Sequence, residues 1–315
     1  MKVGQRMVGL QEFFKYKLIF ISGKGGVGKS VVTASLAVCA AKLGKKVLLV
    51  ENASREQLPP LFSHKEPIGH HETQIMENLY SINLNSKECF REYVVEHLGM
   101  ANLYKKVFDR KLMKSFLDAI PGLNETMLLG RLYHTCMLRK PPRDYDLVIF
   151  DSPASGHFFN LLNTPAAVLS SGLGGPLVRE VTKVSNFLKN PDLCASFLVS
   201  IPEELVRSET LEFIPKIISE SPVRLGGVFL NRSYSQSIKE KLNLLISEDR
   251  YPSLMEVKDY LKRKITMSLE EQSKFLEGLK GLGLSEQCVL LPEIGYVSEP
   301  LTIELARRIW KGANP

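Results

Sequence analysis

Cysteines, paired histidines and long apolar runs are all scarce in this sequence, and each shortage removes a class of protein. The five cysteines, Cys39, Cys89, Cys136, Cys194 and Cys288, are odd in number and far apart, with no Cys-x-x-Cys. Neither a disulfide framework nor a cysteine zinc site is supported, and buried free thiols are expected. Among the six histidines only His70 and His71 adjoin. Neighbouring side chains diverge in regular structure, so no metal site is read from them. No apolar run approaches the roughly 18 residues that span a bilayer, and the opening MKVGQRMVGLQEFFKYK lacks the apolar core of a secretory signal. A cytoplasmic protein is expected.

The 315 residues, 44% hydrophobic and 24% charged, are ordinary for a soluble globular chain with a sizeable core. A net charge of +7 fits contact with phosphates, acidic proteins or anionic lipid. The basic residues are nevertheless dispersed. Lys105, Lys106, Arg110, Lys111 and Lys114, and again Lys258, Lys262, Arg263 and Lys264, recur at helical spacing among acids and apolar residues. They read as solvated helix faces, and no specific nucleic-acid partner is expected.

Apolar runs and turn residues predict strands at 17–22 (KLIFIS), 45–51 (KKVLLVE), 79–84 (LYSINL), 146–151 (DLVIFD), 194–200 (CASFLVS), 226–231 (GGVFLN) and 287–291 (QCVLL). The first two flank a helix over 30–44, a unit that makes parallel sheets. Residues 86–140 read as a helical insertion without a strand. A second non-strand insertion, 157–192, contains SSGLGGPL, whose composition suggests a mobile segment. Residues 233–285 are again largely helical. The order predicts one α/β domain over 1–315, a doubly wound and mostly parallel sheet with helical insertions.

Between the first strand and helix lies ISGKGGVGKS. Gly23-Lys24-Gly25-Gly26-Val27-Gly28-Lys29-Ser30 satisfies the phosphate-loop pattern Gly-x-x-x-x-Gly-Lys-Ser/Thr in the context that pattern requires. The glycines let backbone N–H groups turn toward phosphates and the helix N-terminus adds positive potential. Lys29 then reaches the β and γ oxygens, and Ser30 ligates Mg2+. Nucleotide binding follows, with ATP and Mg2+ as the expected ligands.

Lys24 is one lysine more than such a loop needs. The Lys-Gly-Gly-x-x-Lys-Ser arrangement resembles the deviant phosphate loops, in which the early lysine crosses a dimer interface to phosphates held by the other subunit. That resemblance implies nucleotide between two chains. Other landmarks narrow it: Asp151-Ser-Pro-Ala-Ser-Gly-His157 is similar to the ArsA/Get switch Asp-Thr-Ala-Pro-Thr-Gly-His, and Pro121-Gly-Leu-Asn-Glu125 resembles that family's Pro-Gly-Ile-Asp-Glu. Asn231 matches its adenine-contacting asparagine, and Pro292 and Glu293 its late loop against the base. The landmarks keep family order over about 17 to 310. Val50-Glu51-Asn-Ala-Ser-Arg55 points within the family to a bacterial ArsA-like branch. The resemblance implies an ATPase that couples nucleotide state to a client. Asp151, an acid ending a buried strand beside the loop, would reach Mg2+ through water.

Two departures qualify the analogy. Ala53 stands where the family has the aspartate that positions attacking water. Glu51, two positions upstream on the same side of the strand, either substitutes for it or is a structural strand-end acid. Without its carboxylate the chain would hydrolyse slowly, or act as the ATP-binding member of a pair with an active paralogue. The family's Cys-x-x-Cys is also missing, so a homodimer or a heterodimer with an ArsA-like paralogue needs other surfaces. Met100, Met113, Met127 and Met137, with Phe108 and Phe116, suit either a groove for an apolar client helix or the insertion's own core. Leu301, Leu305 and Ile309 share one face of a C-terminal helix, readable as a peripheral membrane anchor or, in better accord with the related fold, as a docked last helix.

Overall fold

The computed structural model describes residues 13–97, 122–137, 144–172, 175–235, 237–238, 240, 255–294 and 301–313. The strands are β1 (Leu18–Gly23), β2 (Val47–Glu51), β3 (Thr73–Met76), β4 (Leu79–Asn83), β5 (Leu147–Asp151), β6 (Cys194–Ser200), β7 (Leu225–Ser233) and β8 (Cys288–Pro292). The helices are α1 (Lys29–Lys42), α2 (Ser86–His97), α3 (Leu123–Met137), α4 (Ser155–Ser170), α5 (Pro176–Leu188), α6 (Glu204–Glu220), α7 (Met255–Gly281) and α8 (Leu301–Ala313).

One sheet contains all eight strands in the order β3-β4-β2-β5-β1-β6-β7-β8. Every pairing is parallel except β3 with β4. Helices cover both faces, which is why β1, β2 and β6 are buried along their whole length and read as continuous apolar runs. On one face Ile19, Ile21, Leu49 and Ile149 pack with α1 and with Leu305 and Ile309 of α8. On the other, Phe20, Val50 and Phe150 pack with Leu128 of α3, Leu161 of α4 and Val184 of α5. This is the doubly wound α/β fold that the sequence predicts. Central β1 lies between β5 and β6, and the chain winds away from it in both directions. Open α/β sheets bind ligands at the carboxyl ends of their strands at such a crossing point.

The seven predicted strands are present, and β3 is an addition. It is a four-residue, half-exposed edge strand closed onto β4 by a turn in which Asn78 takes the left-handed conformation (φ 58°). The 86–140 insertion contains α2 and α3, with 98–121 and 138–143 outside the described residues. Met100, Met113, Phe108, Phe116, Pro121 and the basic group 105–114 fall outside them too. Met127 is buried in the core with α4, whereas Met137 is exposed. The 157–192 insertion is mostly the pair α4 and α5, with 173–174 undescribed between them. Leu305 and Ile309 are buried against the α1 face, so α8 is docked and that face is not free for a membrane; the Leu301 side chain lies outside the described set. Among the described residues no helix is long and apolar enough to cross a membrane.

Candidate functional site

The loop from β1 to α1 turns through three glycines with positive φ, at positions 23, 26 and 28. Gly28 is the N-cap of α1 at φ 89°, and a Cβ there would stand 2.5 Å from Asn231 Nδ2. At Gly23 a Cβ would collide with the backbone oxygen of Val199 on β6. Backbone conformation and close approach therefore both require glycine. Gly25 and Gly26 face solvent, and a Cβ at either would meet nothing within 4 Å. Val27 is buried and anchors the loop to the core.

Inside this loop Lys29 Nζ donates to the Lys24 carbonyl at 3.0 Å. Burial lowers the Lys29 pKa, while the nearby Asp151 charge opposes that shift. Ser30 Oγ donates to Asp151 Oδ2 at 2.6 Å, and Thr33 Oγ1, one helical turn on, lies 3.3 Å from Asp151 Oδ1. Burial raises the Asp151 pKa against the pull of Ser30, Lys29 and Thr33. Lys24 points elsewhere, forming an ion pair at 2.9 Å with Glu209 of α6.

The loop after β2 closes the other side. Glu51 is 2% exposed and accepts Gln57 N–H at 2.9 Å and Leu58 N–H at 3.4 Å. Burial pushes its pKa up to about 7 despite those donors. Ala53 presents no polar side chain, and its backbone N–H and carbonyl are both held by the Asn83 amide at 3.0 Å. The segment after β5 is tied to β1, for Ser152 N–H donates to Ile21 O and Ser22 Oγ to Pro153 O. His157 stands exposed in the first turn of α4.

A glycine loop, its helix and lysine, and an aspartate bonded to the loop serine together make a nucleotide-type site, and comparison places it. A profile of the anion-transporting ATPase family, ArsA type, matches residues 16–174. The chain belongs to this family. ATPase BagA of Mycobacterium tuberculosis is 30% identical over 228 residues, covering 69% of this chain and 65% of the relative. ATPase get3 of Schizosaccharomyces japonicus is 28% identical over 244 residues, 67% of this chain and 72% of the relative. ATPase ASNA1 homolog 1 of Paramecium tetraurelia is 32% identical over 162 residues, 50% of this chain and 46% of the relative. The match thus spans about 65% of the mycobacterial relative's length.

Within this family member, Gly23, Lys24, Gly25, Gly26, Val27, Gly28, Lys29, Ser30 and Asp151 converge at the carboxyl end of β1 and β5. Asn231 also joins the loop: it is buried at the end of β7 and donates from Nδ2 to the Val27 carbonyl at 3.0 Å. Its amide thereby braces the glycine loop. Pro292 ends β8 and Glu293 follows it, where Glu293 N–H donates to Ser233 O and the ladder to β7 shifts register. Sequence reasoning missed Gln57, whose Oε1 lies 3.3 Å from Ser30 Oγ. No local pattern marks it, although a polar residue within the loop after an acid-ended strand was a usable hint.

Proposed function

We propose that the chain binds ATP with Mg2+ at the β1–α1 loop, hydrolyses it slowly, and uses the nucleotide to switch a dimer that presents a helical surface, including α2 and α3, to a client or partner. The observation that carries the nucleotide site is the Ser30–Asp151 hydrogen bond of 2.6 Å beside a half-buried Lys29 and an outward-facing glycine loop. The residues fit the ligands. Open space at Gly25 and Gly26 leaves room for phosphate oxygens, and the N-terminus of α1, which no side chain caps, suits an anion. Ser30 would hold Mg2+ directly and Asp151 through water, the ion supplying charge neutralisation on the phosphates. Lys29 exchanges the Lys24 carbonyl for a phosphate oxygen.

Lys24 supports the dimer through its likeness to the early lysine of deviant phosphate loops; in the state described it rests on Glu209. Slow turnover follows from Ala53, which has no group to orient a water, and from Glu51, whose carboxylate is engaged by two backbone N–H groups. The same two observations favour a second reading, an ATP-binding subunit whose paralogue supplies most of the hydrolysis.

Calorimetry of ATP with Mg2+ tests the foundation. Lys29→Ala should weaken binding by about tenfold or more, the worth of a charge-assisted hydrogen bond. Unchanged affinity would remove the reading. Turnover of the wild-type chain alone and mixed with a paralogue separates the two versions: the first predicts measurable hydrolysis alone, the second a rate confined to the mixture.

A further inference from the structure

We propose that the side-chain amide of Gln57 is the β2 loop's contribution to the cation-binding end of this site, and that Glu51 acts as the positioning residue that holds it there. The inference rests on the reading of the site as one for Mg2+ and nucleotide, and adds a residue and a route of coupling.

Oxygens from two other elements meet Ser30 Oγ. One is Asp151 Oδ2 at the end of β5, 2.6 Å away, and another is Gln57 Oε1 from the β2 loop, 3.3 Å away. Adjacent ligands of an octahedral Mg2+ with bonds of about 2.0–2.1 Å stand roughly 3 Å apart. The Ser30 hydroxyl donates to the Gln57 amide at 3.3 Å, which puts that amide within reach of the hydration shell of an ion held at Ser30. The donor set also suits a hard cation, being a hydroxyl, a carboxylate and an amide carbonyl, with no sulfur. Gln57 is exposed at the mouth of the site, so its amide is open to an ion arriving with nucleotide.

The backbone beneath that amide is fixed from both sides. Glu51 accepts Gln57 N–H at 2.9 Å, and the neighbouring Leu58 is fully buried in the sheet core. On the other flank Glu56 accepts Ile68 N–H at 2.9 Å and Gly69 N–H at 2.6 Å. Ala53, by contrast, offers no side-chain oxygen, and its backbone groups are taken by Asn83. The polar reach of this loop toward Ser30 thus comes from residue 57, four positions beyond the alanine. Glu51 acts through Gln57, because its carboxyl oxygens are taken up by the Gln57 and Leu58 N–H groups.

The test is equilibrium binding of a fluorescent ATP analogue to the purified chain across a Mg2+ titration, with a metal-free arm. Gln57→Ala should raise the Mg2+ concentration for half-maximal enhancement of binding by about tenfold, the usual effect of losing an outer partner of a metal. Metal-free affinity should be unchanged. Gln57→Glu should lower the half-maximal concentration, since a carboxylate replaces an uncharged carbonyl. Glu51→Gln should raise it in the wild-type background and add no further shift in Gln57→Ala, a coupling that a merely structural role would not produce. Gln57 variants that titrate like a Mg2+-responsive wild type would overturn the assignment while sparing the nucleotide site. A wild type whose binding ignores Mg2+ would overturn both.

Discussion

The stability of Glu51→Gln should depend less on pH than that of the wild-type protein. Glu51 closes β2 in register with Asp151 on β5. Burial, and to a lesser degree the Asp151 charge, raises its carboxyl from 4.5 to about 7, although two backbone N–H groups oppose the shift. In the unfolded chain this group ionises near 4.5. Between about pH 4.5 and 7 the folded state therefore keeps a proton that the unfolded state has released. Stability from this group is fully present at the acid end and is lost as pH rises through 7. The slope approaches about 1.4 kcal/mol per pH unit, and the whole window amounts to about 3 kcal/mol. Glutamine does not titrate, so subtracting the mutant curve from the wild-type curve isolates the carboxyl, together with any response of its neighbour Asp151. Urea unfolding of the nucleotide-free chain, followed by circular dichroism from pH 5 to 8, measures it. The wild type should lose about 2 to 3 kcal/mol relative to Glu51→Gln across that range. Parallel curves would refute the argument that burial governs this carboxyl.

Two further outcomes follow from packing. Arg131 is 8% exposed and pairs with Glu72 at 2.8 Å and Glu92 at 2.7 Å, and Tyr145 also donates to Glu72. Arg131→Ala leaves both carboxylates without that cation and should cost about 3 to 5 kcal/mol in urea unfolding; a loss below about 1 kcal/mol would show that water reaches the cluster. Gly28→Ala forces a Cβ against Asn231 at φ 89° and should lower stability by about 1 to 3 kcal/mol. Gly25→Ala, with open space around it, should leave the nucleotide-free melting temperature unchanged; equal effects of the two would refute the steric account.

What the sequence revealed followed the range of the interactions involved. Parallel strands buried on both faces must be apolar throughout, so β1, β2, β5 and β6 announce themselves as runs. β3 escaped because an exposed edge strand of four residues, TQIM, has too little burial to impose a pattern. Its only local sign was Asn78 at a turn that needs a positive φ. The phosphate loop is legible because phosphate binding depends on consecutive backbone groups, which a short motif can specify. Asn231 bracing Val27, Gln57 reaching Ser30 and Glu209 holding Lys24 join residues whose proximity is set by strand order and loop path. Pattern reading places such residues near the right end of the sheet and cannot supply the contact. Glu51 shows the same boundary. Strand alternation put it on the side of residue 53, but two backbone donors from a later turn decide what its carboxylate does.

The surplus lysine acquires a physical meaning from its partner. A Lys24 free in solution would sample many rotamers, and reaching a second subunit's phosphates would require ordering it, at a cost of up to about 2 kcal/mol of side-chain entropy. In the state described, that side chain is already collected on Glu209, with both groups more than a third exposed. Exposed pairs of this kind are worth about 0 to 1 kcal/mol and weaken with salt. The pairing is thus strong enough to bias where Lys24 rests, yet weak beside the attraction of a desolvated polyphosphate, where each charge-assisted hydrogen bond contributes about 1.5 to 3 kcal/mol. In the proposed dimer, Glu209 would therefore hold the lysine without opposing its transfer to a nucleotide bound by the other subunit. Lys29, bonded to the Lys24 carbonyl, would stand in the same relation to the phosphates of the proposed nucleotide in its own subunit. Each lysine of the loop has an intramolecular partner, and in the proposed dimer a nucleotide held between two chains would offer each a stronger one.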